Sequence, residues 1–209
     1  MRTLTVFGLL ALAYAAPAAT ISTTSSGGIG LINGGPHTVD IVLSDPRIIT
    51  GNFFVSLNNL AHTWPGDLVV TVTHVETGTT ATLFDRIGLP QSTFGCATDF
   101  SLGNYTFSDS GSGPLPCPPN PIPAGTYRAS RPDDTAVFIA NTFNGLAATG
   151  TWRLSITDFF PGGDSGSLVN WTLNLDVADA EVPEPGTLAS VALGLAAAAL
   201  WRRRTQMRS

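Results

Sequence analysis

Two tryptophan-bearing runs separated by a turn leave few folds open to this chain. Trp152, Leu154 and Ile156 alternate with Thr151, Arg153, Ser155 and Thr157, so an extended segment here is apolar on one face and wettable on the other. A break dense in Pro, Gly, Asp and Ser follows at Asp158 to Gly166, and then Trp171, Leu173 and Leu175 alternate with Asn170, Thr172 and Asn174. The pattern predicts two half-buried strands joined as a long hairpin, each bringing one tryptophan to the core. Leu60 to Phe84 has the same character, and the three strands together are expected to form one face of a β-sandwich.

The chain has 209 residues, enough for one domain with a substantial core and short for two. Every basic residue is arginine, and five of the ten (Arg2, Arg202, Arg203, Arg204, Arg208) lie in the terminal segments. Without those five and Glu184, 14 acidic and five basic residues remain, a charge of about −9 for the central part. Such a surface repels phosphate backbones, which argues against nucleic acid as a partner and favours divalent cations.

Residues 1–18 read as a secretory signal peptide: Met1-Arg2, an apolar run from Leu4 to Ala13, and the small residues Ala16-Pro17-Ala18 at the cut. Residues 19–38 are rich in Gly, Ser and Thr and are expected to be a flexible arm, with an edge strand around Ile29 to Ile32 as the open alternative. Val39 to Leu43 and Ile48 to Leu57 are strands around the Ser44-Asp45-Pro46 turn. Leu68 to Val75 and Thr80 to Phe84 are strands around a tight turn at Glu76 to Thr79. Ile87 to Ala136 is turn-rich and is expected to hold one short strand, Asn104 to Phe107, and little else. It contains Cys96 and Cys117, the only cysteines, and behind an export signal these are expected to form a disulfide rather than stay as thiols. Two cysteines with no nearby histidine are too few soft ligands for a metal.

His62-Thr63-Trp64-Pro65-Gly66-Asp67-Leu68, Gly78-Thr79-Thr80, Leu83-Phe84-Asp85-Arg86, Phe143-Asn144-Gly145, Gly150-Thr151-Trp152, Asp158, Gly163-Asp164-Ser165-Gly166 and Trp171-Thr172-Leu173 follow one another in an order that resembles the P domain, or Homo B domain, of subtilisin-like proprotein convertases. The resemblance covers roughly Val39 to Asp176. It implies an all-β, jelly-roll-like β-sandwich of the galactose-binding-like kind over 39–178. The stretch Gly95 to Pro123, with its two cysteines and prolines, departs from the family pattern.

From Val182 the character changes. A linker over 179–187 contains Val182-Pro183-Glu184-Pro185, an apolar run at 188–201 reads as a short membrane helix, and Arg202-Arg203-Arg204 opens a basic tail at 202–209. The arginines belong on the cytoplasmic side, and the apolar run is marginal in length for a full crossing. This order resembles the PEP-CTERM sorting signal of Gram-negative bacteria. By that resemblance an exosortase recognises Pro183, Glu184 and Pro185, and the protein passes from the inner membrane to the cell surface or beyond, often beside exopolysaccharide.

Gly163-Asp164-Ser165-Gly166 is also the tetrapeptide around the nucleophile of chymotrypsin-like proteases. A nucleophilic serine needs a histidine base and an orienting acid. His37, His62 and His74 are present, but none stands in that family's local pattern, so no catalytic residue is expected and the tetrapeptide reads as a turn. Asp67, Asp158, Asp109 and Asp164 sit in turns or at strand ends, where carboxylates can converge on Ca²⁺ or simply cap backbone. Asp67 and Asp158 are the first choice for calcium. His62 and Trp64 read either as a recognition edge or as structure, with Trp64 covering the end of the sandwich and His62 bonding a carbonyl of the next loop.

The expected function is therefore a non-catalytic, exported, surface-anchored module that binds or scaffolds in the cell envelope or matrix. The alternatives are an accessory domain for a separate subtilisin-like serine endopeptidase, and a polysaccharide-binding matrix protein with Trp64, Phe159 and Phe160 as its candidate aromatics.

Overall fold

The structure, a computed structural model, describes residues 18–89, 91–179 and 193–195. The expected signal peptide (1–17 of it), the Pro183-Glu184-Pro185 motif, most of the 188–201 run and Arg202 to Arg204 lie outside these. Residues 193–195 are helical. Among the described residues no helix is long and apolar enough to cross a membrane.

Residues 18–179 form one unit built of eleven strands: β1 (Ala19–Thr24), β2 (Ile29–Ile32), β3 (His37–Leu43), β4 (Ile48–His62), β5 (Leu68–His74), β6 (Thr79–Asp85), β7 (Phe100–Phe107), β8 (Gly125–Tyr127), β9 (Gly150–Asp158), β10 (Gly166–Leu168) and β11 (Asn170–Ala178). One five-residue helix, α1 (Ile139–Phe143), precedes β9 and packs against the core. β3-β9-β5-β6 make a four-stranded antiparallel sheet, and β1-β11-β4-β10-β2 with β7 and β8 make a seven-stranded one. β11 and β10 run along one side of β4, with β1 and β2 beyond them, while β7 pairs with the other side of β4.

The alternation in the two tryptophan runs is realised residue by residue. In β9, Trp152, Leu154 and Ile156 are buried, and in β11 so are Trp171, Leu173, Leu175 and Val177. The expected hairpin is not formed. β9 belongs to the four-stranded sheet and β11 to the seven-stranded one, so the two tryptophans meet the core from opposite layers. Trp171 donates its indole N–H across the interior to the carbonyl of Val39 in β3, at 3.1 Å. Trp152 donates to Ala148 O at 3.0 Å and packs with Phe53 of the opposite sheet and Phe143 of α1. Both aromatic bodies are thus buried with their one polar atom satisfied. Of the segments expected to share a face, β5, β6 and β9 do, while the end of β4 and β11 lie in the other layer.

Residues 19–38 are not a flexible arm: the alternative edge strand at Ile29–Ile32 is present as β2, and β1 and the start of β3 lie on either side of it. Their small polar side chains suit an outer position: every second residue of β1 is exposed, and β1 completes the seven-stranded sheet against β11. Asp176 ties the added strand in place, accepting hydrogen bonds from Thr20 Oγ1 (2.7 Å), Asn52 Nδ2 (2.8 Å) and Asn52 N (3.3 Å). Those donors, Thr20 first, hold the Asp176 carboxyl below the ordinary aspartate value of 3.8 against a smaller opposing effect of burial. A depressed folded pKa contributes stability above pH 3.8 that is lost as pH falls through the folded value. Asp176→Asn is therefore expected to be less stable than wild type at neutral pH and to converge with it in acid. Urea midpoints measured from pH 7 to pH 2 check this, and parallel curves would refute it.

The region 87–136 is also more ordered than its turn content suggests. It holds all of β7, of which Asn104 to Phe107 is the second half, and β8, parallel to it. Leu115 and Ile122 reach the core, and Tyr105 donates its hydroxyl to Ile122 O at 2.9 Å. Cys96 and Cys117 are joined in a disulfide.

Candidate functional site

Four chain segments meet at the end of the sandwich where β4 and β9 finish and β5 and β10 begin. Pro65-Gly66-Asp67 forms a single 3-10 turn between β4 and β5. Leu68 stands opposite Asp158 in the β5–β9 ladder, and Gly166 stands opposite His62 in the β10–β4 ladder. This register brings His62, Asp67, Asp158 and Asp164 to one place. Gly166 is what allows the approach: a Cβ there would lie 2.1 Å from Ala61 O and 2.7 Å from His62 Cδ2. The Gly163 to Gly166 tetrapeptide is accordingly the entry to a strand that must pass close to β4.

The His62 and Asp158 side chains are fully buried, and the Asp164 side chain is 8% exposed. His62 Nε2 lies 3.8 Å from Asp158 Oδ2, and His62 Nδ1 lies 3.8 Å from Asp164 Oδ2. These distances exceed hydrogen-bond reach. Nδ1 accepts the backbone N–H of Trp64 at 3.1 Å, so His62 does not bond a carbonyl of the next loop as expected from the sequence. Asp158 Oδ1 accepts the N–H of Phe160 at 2.8 Å. The remaining atoms of the cluster, His62 Nε2, Asp158 Oδ2 and both Asp164 oxygens, are buried without a partner.

The electrostatics follow from crowding like charges in a desolvated corner. Burial first and the neighbouring Asp158 second push the Asp164 carboxyl upward. Asp67 is raised by burial and by Asp164 and Asp158, with Arg86 pulling the other way from 3.8 Å. Burial lowers His62 against the opposing pull of Asp158. One arginine and one imidazole thus face three carboxylates.

Of the four aspartates named from the sequence, Asp67, Asp158 and Asp164 converge and Asp109 does not. Both Asp109 oxygens are spent on the start of α1, accepting Ile139 N at 2.7 Å and Ala140 N at 3.2 Å. His62, read from the sequence as a backbone-bonding residue, is a member of the cluster. So is Arg86, whose separation of 19 residues from Asp67 hides the contact until β5 and β6 pair. Ser165 is exposed, and the His62 nitrogens face Asp158 and Asp164 rather than its hydroxyl. His74 is satisfied by Thr77 Oγ1 and Thr149 O, both at 2.9 Å, and packs against Trp152.

Around the cluster the surface is apolar. Phe94, Phe159 and Phe160 are each more than half exposed. Arg86 lies 6.0 Å from the centre of the Phe159 ring, and the half-buried Trp64 donates its indole N–H to Phe94 O at 2.8 Å. Trp64 therefore pins the 92–95 loop over the 3-10 turn.

Comparison with known families finds both resemblances in the order in which the residues suggest them. A family model of the proprotein convertase P-domain matches residues 123–175, and one of the PEP-CTERM protein-sorting motif matches residues 181–204. Among solved structures the chain is similar to the Aeromonas sobria serine protease in its complex with the chaperone ORF2, at 17% identity and a TM-score of 0.41, over 78% of this chain and 27% of that one. It is similar also to the serine protease of Aeromonas sobria, at 16% identity and a TM-score of 0.39, over 77% and 26%. The chain thus spans about a quarter of the length of those proteases. No curated protein matches it.

Proposed function

We propose that a P-domain carried in front of a PEP-CTERM motif serves here as an exported, non-catalytic accessory module, delivered by exosortase processing and working on a protein partner outside the cytosol. The observation that carries this reading is the pairing of the two family matches on one chain, 123–175 and 181–204. A PEP-CTERM motif marks a protein exported by Gram-negative bacteria, and a P-domain is an accessory to a protease rather than the protease itself. The route from the inner membrane to the cell surface, and a sandwich of the jelly-roll-like kind, belong to the same reading.

Chemistry supports the accessory role. The exposed Phe94, Phe159 and Phe160 offer an apolar face of the sort that partners cover. We assign the partner to a separately encoded subtilisin-like serine endopeptidase lacking its own P-domain.

The test is pull-down and activity assay with that endopeptidase from the same genome. Expected are co-purification, a longer protease half-life at about 37 °C in the presence of the chain, and no hydrolysis of peptide substrates by the chain alone. Peptide cleavage by the chain alone, or no effect on protease binding and lifetime, would defeat the reading.

A second reading, polysaccharide binding, is favoured by one feature. A cleft of about 440 Å³ is lined by the amides of Asn52, Asn141 and Asn144 and the hydroxyls of Ser108 and Ser110, groups that match sugar hydroxyls, together with Phe53 and Asp109. Retention of the chain on an exopolysaccharide column, lost in Asn141→Leu, would support it.

A further inference from the structure

We propose that a hard divalent cation of the Ca²⁺ class binds between Asp158 and Asp164, at the end of the sandwich braced by His62. Three carboxylate oxygens, Asp158 Oδ2 and both oxygens of Asp164, are buried with no hydrogen-bond partner. An ionised carboxylate cannot be left so without a compensating positive charge.

His62 does not supply that charge where it is needed. Its Nδ1 lone pair accepts the Trp64 N–H, which puts the proton of a neutral ring on Nε2. Nε2 lies 3.8 Å from Asp158 Oδ2, beyond hydrogen-bond reach, and Asp164 is left unserved. Arg86 is engaged at Asp67 and Phe159. In the ionised state of the pair, the compensating positive charge therefore comes from outside the chain.

The same hydrogen bond selects the kind of ion. With Nδ1 occupied and Nε2 protonated, neither nitrogen offers a lone pair, so the nitrogen-liganded geometry preferred by Zn²⁺ is closed and an oxygen-only set remains. One ligand atom from each of His62, Asp158 and Asp164 can be chosen so that all lie within 4.8 Å of one another. Two oxygens each about 2.4 Å from one Ca²⁺ lie at most about 4.8 Å apart, so a single ion spans the carboxylate pair. Both Asp164 oxygens are themselves buried, so the waters that complete a coordination number of about 6–8 enter with the ion. With two protein carboxylates the affinity falls in the range of extracellular modules, about 10⁻⁴–10⁻³ M. Asp164 and Asp158 are the ligands, and Asp67, beside Arg86, adds field without direct coordination.

The full chain, stripped with a chelator and then titrated with Ca²⁺ to millimolar levels, is followed by thermal unfolding of its tryptophan fluorescence. Expected is a rise in midpoint of about 5 °C at saturation. Asp164→Asn is expected to melt higher than wild type without Ca²⁺, because a like charge is gone, and to lose the response to Ca²⁺. Should the aspartate variant fail to fold, Tb³⁺ luminescence on the wild-type chain, displaced by Ca²⁺ at submillimolar concentration, reports the same site. An unchanged wild-type midpoint with no displaceable Tb³⁺ signal overturns the proposal. So does a response that persists in Asp164→Asn, or one obtained with micromolar Zn²⁺ and abolished by His62→Gln, which would make the site a nitrogen-liganded one.

Discussion

Trp171→Ala is expected to destabilise the fold by about 3–5 kcal/mol, a large share of the roughly 5–15 kcal/mol that holds a typical domain folded. Trp171 is fully buried in β11, and its indole nitrogen reaches the opposite sheet at Val39 O. Truncation removes the aromatic volume, leaves a cavity between the layers and deprives the Val39 carbonyl of its indole donor. For a domain of this size about 3–5 kcal/mol corresponds to a fall in Tm of roughly 6–20 °C. Trp171→Phe fills most of the space but lacks the N–H, so it is expected to lose much less, about 1–2 kcal/mol. Urea unfolding of the three proteins measures both. If alanine costs no more than phenylalanine, the two sheets are not joined through this side chain.

Replacing Cys96 and Cys117 together with alanine is expected to cost about 3 kcal/mol, from the chain entropy of a loop of roughly 20 residues. The bond joins Cys96, which is buried, to Cys117, which is less so. It therefore fastens a proline-rich surface loop to an anchor in the core. The anchor underlies the end of the sandwich that holds the candidate site: Gly66 N donates to Cys96 O at 3.1 Å, and a Cβ on Gly66 would come within 2.2 Å of Cys96 N. Loss of the disulfide is accordingly expected to loosen the 64–67 turn before the sheets part. Hydrogen exchange should show early loss of protection at Gly66 and at position 96, while β9 and β11 stay protected. A Tm unchanged by reductant, with no local change in exchange, would contradict this.

Sequence and structure agree most closely where burial is periodic. Alternation in Thr151 to Thr157 and Asn170 to Asp176 specifies which side chains are inside, because successive residues of a strand point to opposite faces. It is silent on which strands are neighbours. Trp152 and Trp171 have the same pattern whether they lie side by side in a hairpin or face each other across a core, so the hairpin expectation failed without a single buried residue of the two runs being misplaced. The polar Thr20 to Thr24 run failed for a different reason: an outer strand held by backbone pairing and by Asp176 needs little apolar surface of its own.

The candidate site divides along the same line. The aspartates in turns, the pair of cysteines, the two tryptophans and the sorting motif near Pro183 are local features, readable from neighbouring residues because turn chemistry and alternation act over a few positions. That Asp158 and Asp164 should turn inward onto His62, that Asp109 should cap α1 instead, and that Arg86 should reach Asp67 depend on strand register between segments up to about a hundred residues apart. Register is set by the packing of two whole sheets, a property of many side chains at once, and no short stretch of the chain contains it.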